Sequence, residues 1–109
     1  MKEIELISAA DAGSDVTSIG LNVGDLTHAS IQISFSSGTL NGTLTLEASN
    51  DNTTYATISG SSQAVTSGAQ HLYNITDAGF KYVRVFWDRT SGTGTITAKA
   101  VLKEPINRF

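Results

Sequence analysis

"LEASNDNTTYATISG" (residues 46–60) holds the pattern on which the fold turns. Leu44, Leu46 and Ala48 alternate with Thr43, Thr45 and Glu47, which is the period of a strand with one dry face and one wet face. The alternation stops at Ser49-Asn50-Asp51-Asn52-Thr53-Thr54 and resumes through Tyr55 to Ile58. Asn and Asp tolerate left-handed backbone and bond back to their own chain, so the polar knot reads as the turn of a hairpin. Three other readings compete with the turn. Asn50, Asp51 and Asn52 could supply oxygens to calcium, but such a site needs six or more, usually with several carboxylates, and this loop has one. The loop could also hold a sugar. Asp11, Asp15 and Asp25 form a second candidate oxygen set on neighbouring turns.

The same period extends in both directions. Ile31, Ile33 and Phe35 alternate with Ser30, Gln32 and Ser34, and Ile96, Ala98, Ala100 and Leu102 form a last inward row. At the N-terminus Ile4, Leu6 and Ser8 are expected on one face, with Glu3, Glu5 and Ile7 opposite. Ile19, Leu21 and Val23 are expected together on a further strand. Asn41-Gly42 suggests a bulge, and Gln63 to Thr66 a short strand before the one at His71 to Ile75. Phe80-Lys81-Tyr82-Val83-Arg84-Val85-Phe86-Trp87 carries large residues on both faces, as a central strand or a partner-covered one does. Thr90-Ser91-Gly92-Thr93-Gly94 reads as a hairpin before the last strand. About seven to nine short strands separated by turns predict an all-β chain, an antiparallel, jelly-roll-like β-sandwich. Residues 1–104 are expected to form one domain. Pro105 cannot donate to a ladder, so residues 105–109 are expected to form a tail.

Composition agrees. The 109 residues include 13 serines and 14 threonines, only 16% are charged, and the net charge is −3. No basic run suits nucleic acid, and no stretch is long and apolar enough to span a bilayer. With no cysteine there is no disulfide framework or thiolate metal site. The N-terminal alternation lacks the apolar core of a secretory leader. His28 and His71 stand apart at strand starts, and no nucleophile motif or acid–base pair appears, so no cofactor and no enzyme activity are expected. The sequons at Asn41, Asn52 and Asn74 follow from the abundance of hydroxyls.

Trp87, Tyr82, Tyr73 and Tyr55 suit either a sandwich core or a sugar platform. Arg84 shares a face with Tyr82 and Phe86, as an ion-pair, cation–π or interface residue.

Residues 40–100 contain a "GTLTLEASND" hairpin, "NITDAG", "YVRV" and "GTGT". The combination resembles small structural proteins of bacteriophages, with a more distant likeness to discoidin-like carbohydrate-binding sandwiches. The phage resemblance implies a non-enzymatic virion subunit: a capsid decoration, cement, head-fibre or spike-base protein. It would bind a major capsid protein or another virion subunit and form a homo-oligomer, a trimer before other states. Contacts are expected from Ile4 and Leu6 on a donated edge strand, from Arg84 and Trp87, and from Ile106, Arg108 and Phe109 in the tail. The alternative is a module that binds host surface glycans through Trp87 or the Asn50–Thr54 loop.

Overall fold

The structure, a computed structural model, describes residues 2–23, 28–36, 39–66, 70–76 and 79–103, with no side-chain description for Lys2, Thr76 and Lys103. Asp25, Pro105, Ile106, Arg108 and Phe109, and the expectations attached to them, lie outside the described residues. The described chain is all β: β1 (Lys2–Asp11), β2 (Val16–Thr17), β3 (Leu21–Asn22), β4 (His28–Phe35), β5 (Asn41–Ser49), β6 (Ala56–Thr57), β7 (Gln63–Thr66), β8 (His71–Thr76), β9 (Tyr82–Ser91) and β10 (Thr95–Lys103).

Two antiparallel sheets face each other. The first has the order β1-β10-β4-β8. In the second, β9 and β5 form the centre, β2 and β3 share the outer side of β9, and β6 and β7 share the outer side of β5. β2/β3 and β6/β7 are therefore two edge strands, each broken once. Counted as continuous paths there are eight, ordered first–eighth–third–sixth in one sheet and second–seventh–fourth–fifth in the other. That order is the double Greek key of a jelly roll.

The expected inward rows supply the core. Ile31, Ile33, Leu44, Ile96, Ala98 and Ala100 are fully buried. From β9, Val83, Val85 and Trp87 enter the same layer. Gly42 is needed where β5 shifts register against β9, because a Cβ there would run into the carbonyl of Asp88 and come within 2.6 Å of the Trp87 ring.

Both breaks are closed by a serine. Ser18 donates its N–H to the Val85 carbonyl (2.9 Å), and its Oγ accepts the Val85 N–H (2.9 Å). On the opposite edge Ser61 Oγ accepts the Leu46 N–H (3.1 Å) and donates to the Ile58 carbonyl (2.7 Å). Both residues are buried, and each hydroxyl stands where a ladder carbonyl would have stood.

Three local expectations fail. Ile7 is buried beside Leu6, because register shifts between Glu5 and Ile7 and again before Ala10 turn two consecutive side chains inward. Ile19 is 62% exposed, because the break at residues 18–20 interrupts the parity that buries Leu21 and Val23. Residues 90–94 form a corner, since β9 and β10 belong to different sheets. The 46–60 turn is a true hairpin, with Glu47 opposite Thr57 and Ala48 opposite Ala56.

Candidate binding face

The outer face of the second sheet gathers most of the chemistry. Alternation along β9 sends Tyr82, Arg84 and Phe86 outward, opposite Ser49, Glu47 and Thr45 of β5. Thr17 and Asn22 flank Phe86 and Tyr82 on the edge strand, and Thr57 flanks Glu47 on the other side.

Arg84 Nε donates to Glu47 Oε1 at 2.7 Å, with the two side chains 29% and 19% exposed. The guanidinium lies 3.9 Å from the centroid of the Tyr55 ring. The Tyr55 hydroxyl donates to Asn52 Oδ1. Gly20 sits under that pair, and any side chain there would collide with both oxygens. Desolvation raises the Tyr55 pKa above its ordinary value, against the opposing pull of the Arg84 charge. The phenol therefore stays neutral and donates. A chain of contacts runs Glu47–Arg84–Tyr55–Asn52 across the face and ties the hairpin tip to β9.

The polar knot spends its groups on itself. Ser49 Oγ accepts the N–H groups of Asp51 (3.1 Å) and Asn52 (3.0 Å) and donates to Asp51 Oδ1 (2.8 Å). The same Oδ1 accepts the N–H groups of Thr53 (2.9 Å) and Thr54 (2.8 Å). Those backbone donors, Thr54 first, hold the Asp51 carboxyl at a pKa of about 2. Asn52 has φ 59°, the left-handed conformation expected of Asn in a turn. Asn50 Oδ1 accepts the Lys81 N–H (3.1 Å), which ties the tip to the segment before β9.

Asp11 Oδ1 accepts the Gly13 N–H and Asp15 Oδ1 the Arg89 N–H, both at 2.9 Å. Among the described residues no three His, Cys, Asp or Glu side chains converge as a metal site would require.

Trp87 is 0% exposed. Its indole N–H donates to the Ala12 carbonyl at 2.9 Å, and its ring packs 4.9 Å from that of Phe35. It has no surface with which to stack a sugar or touch a neighbour. Tyr73 is also inside, donating to the Ser61 carbonyl at 2.8 Å, and burial pushes its pKa up to about 12. Leu6 is a core residue and Ile4 packs partly against the core. Of the surface residues singled out from sequence, Arg84 stands on the face, with Tyr82 and Phe86 beside it. Glu47 was not anticipated as its partner, because that pairing depends on the β5–β9 register.

At the opposite seam β7 and β8 are linked across the two sheets. Gln63 Nε2 donates to the Leu72 carbonyl (3.3 Å), and its Oε1 lies 2.7 Å from His71 Nδ1, which must therefore carry the proton. His71 Nε2 is buried without a partner, and burial lowers the pKa of the ring. Beside this seam lies a groove of about 420 Å³ lined by Leu46, Ile58, Tyr73, Ile75 and Phe80.

No protein-family model matches the chain, and comparison with curated proteins gives no match in sequence. Solved structures do match it in fold. The SPBc2 prophage-derived protein YomS is 18% identical, with a TM-score of 0.63 over 91% of this chain and 90% of that one. The PBSX exported protein XepA is 13% identical, with a TM-score of 0.68 over 99% of this chain, which spans only 39% of XepA. Chitosan-binding module 1 of a chitosanase/glucanase from Paenibacillus sp. IK-5 is 19% identical, with a TM-score of 0.50 over 93% of this chain and 76% of the module. At these identities the likeness is one of fold.

Proposed function

We propose that the chain is a non-enzymatic structural subunit of a bacteriophage particle, a capsid decoration, cement or spike-base protein. The supporting observation is the whole-domain likeness to a prophage-derived protein, which covers nine-tenths of both chains. The phage-like motif combination in residues 40–100 points the same way. So does the use of the conspicuous polar groups: Asp51, Asp11, Asp15, Ser18 and Ser61 all complete backbone hydrogen bonding. The partners in this reading are a major capsid protein or other virion subunits, with copies of the chain assembled as a homo-oligomer. Arg84 on the sheet face and Ile106, Arg108 and Phe109 at the C-terminus supply contacts. The test is incorporation: a chain with Ile106→Ser and Phe109→Ser is expected to fold normally and to be lost from particles. Undiminished incorporation would remove the C-terminal residues from the reading.

A second reading is favoured by one feature, the row Tyr82, Arg84 and Phe86 on an outer sheet face set among threonines. Aromatic faces with nearby hydroxyls suit a sugar ring. In this reading the chain is a carbohydrate-binding module for host surface glycans, and the ligand lies on this face, since Trp87 is buried. Glycan-array signal that disappears in Tyr82→Ala and Phe86→Ala would move this reading to first place. An array without hits would remove it.

A further inference from the structure

The four sheet edges are not alike. The second sheet ends in β2/β3 and β6/β7, whose runs of two to four residues are interrupted by the serine-closed breaks. Short, broken edges are a standard defence against pairing with another chain. Among the described residues the first sheet has longer edges, although Gln63 Nε2 of β7 already donates to the Leu72 carbonyl of β8 and two register shifts interrupt β1 beyond Glu5. β8 is a regular six-residue edge, in register with β4 from His71 opposite Ile33 to Thr76 opposite His28, and it carries no acidic or basic side chain apart from His71. Its Leu72 is 58% exposed. At the other edge β1 is regular from Lys2 to Glu5, before its first register shift.

The two edges also complement each other. One cross-strand row on the outer face runs Glu5–Lys99–Gln32–Leu72, and the next runs Glu3–Val101–Ser30–Asn74. Leu72 projects at the β8 end. At the β1 end lies a shallow depression of about 370 Å³, lined by Glu3, Ile4, Glu5, Lys99 and Val101. Alternation through the sheet makes β1 and β8 run in opposite directions. A rotation about an axis along the strands therefore places β8 of one copy antiparallel beside β1 of the next.

We infer that copies of this chain join head to tail through the first sheet, β8 of one copy pairing with Lys2–Glu5 of the next and Leu72 seating in the β1/β10 depression. The contact is heterologous, so repetition gives a ring where the rotation closes and a filament where it does not, and the closed ring satisfies both regular edges of every copy. Pairing of β8 with β8 would leave the β1 edge open. The inference rests on the assembly reading above, but its readout is separate: mass in solution tests this pairing, and particle incorporation tests that reading.

The experiment is light scattering on the full chain and three variants, with circular dichroism as the check on folding. The wild type is expected as a discrete species of more than two chains. Leu72→Asp, and independently Asn74→Asp, set a carboxylate against the partner's Glu3 and the partner's Glu5, and are expected to give the single-chain mass with an unchanged spectrum. Adding Glu3→Lys and Glu5→Lys to Leu72→Asp is expected to restore the ring. A monomeric wild type overturns the inference, as does a ring indifferent to Leu72→Asp. Loss of assembly that the two lysines fail to restore overturns β1 as the partner edge.

Discussion

Ser18 and Ser61 are small side chains with outsized consequences. Each hydroxyl satisfies a backbone N–H that the interrupted edge strand would otherwise orphan, and the cost of an unsatisfied buried donor is about 1–3 kcal/mol. Ser18→Ala and Ser61→Ala are each expected to lower unfolding free energy by about that amount, measured by urea denaturation. The two sites lie three strand spacings apart, about 14 Å, so the double variant should show the sum of the single losses. Asp51 supplies a prediction in pH. Its folded pKa of about 2 lies below the ordinary aspartate value of 3.8. A depressed carboxyl binds its proton more readily in the unfolded chain, so its stabilising effect is complete above pH 3.8 and lost as pH falls toward 2. An NMR titration should find the Asp51 carboxyl near 2, and Asp51→Asn should flatten the acid limb of the stability curve between these values. An unshifted titration would contradict the three-donor turn.

Among the elements, the hairpin from β5 to β6 is held from outside by Arg84 of β9. The Glu47 pair is part-exposed, and an ion pair in that setting contributes about 0–1 kcal/mol. The larger role of Arg84 is positional, because its flat guanidinium stacks on Tyr55. Lysine keeps the charge and loses that stack. Arg84→Lys is therefore expected to leave the unfolding midpoint nearly unchanged while amide exchange at residues 52–55 accelerates. Equal protection in both proteins would show that the Asn52 and Gly20 contacts hold the tip unaided. The β4 and β10 rows, and the β5 row beyond its shift at Asn41/Gly42, were legible in the sequence, because there each strand alternates without interruption and has one buried face. β1 was legible as a strand but not in facing, since the shifts at Glu5/Ile7 and Ile7/Ala10 leave no signal in apolar period. Ile19 failed for the same reason at the β2/β3 break. Trp87 was legible as core or platform, and only the closing of the two sheets over β9 decides between them. The sheet-face network was half visible: residue parity places Arg84 between Tyr82 and Phe86, but strand register chooses Glu47.

At the scale of the whole molecule, the connections determine how the chain finds its fold. All but one of the links between strand paths pass from one sheet to the other, the exception being the 46–60 hairpin. Contacts are accordingly non-local, and β sandwiches of this kind fold in milliseconds to seconds. Stopped-flow fluorescence of Trp87, which is fully buried, should report refolding in that range, and a microsecond phase carrying most of the amplitude would contradict it.

The place of β10 carries this further. It lies between β1 and β4, and within the described residues β1 has no other strand partner. During synthesis β1 thus waits for β10. Until residues 95–103 emerge, the inward side chains of β4 line an open slot, and a chain truncated before Thr95 would present that slot to every other nascent chain nearby. β10 works as a keystone, and loss of this one segment should drive the product into inclusion bodies even though the greater part of the sequence remains.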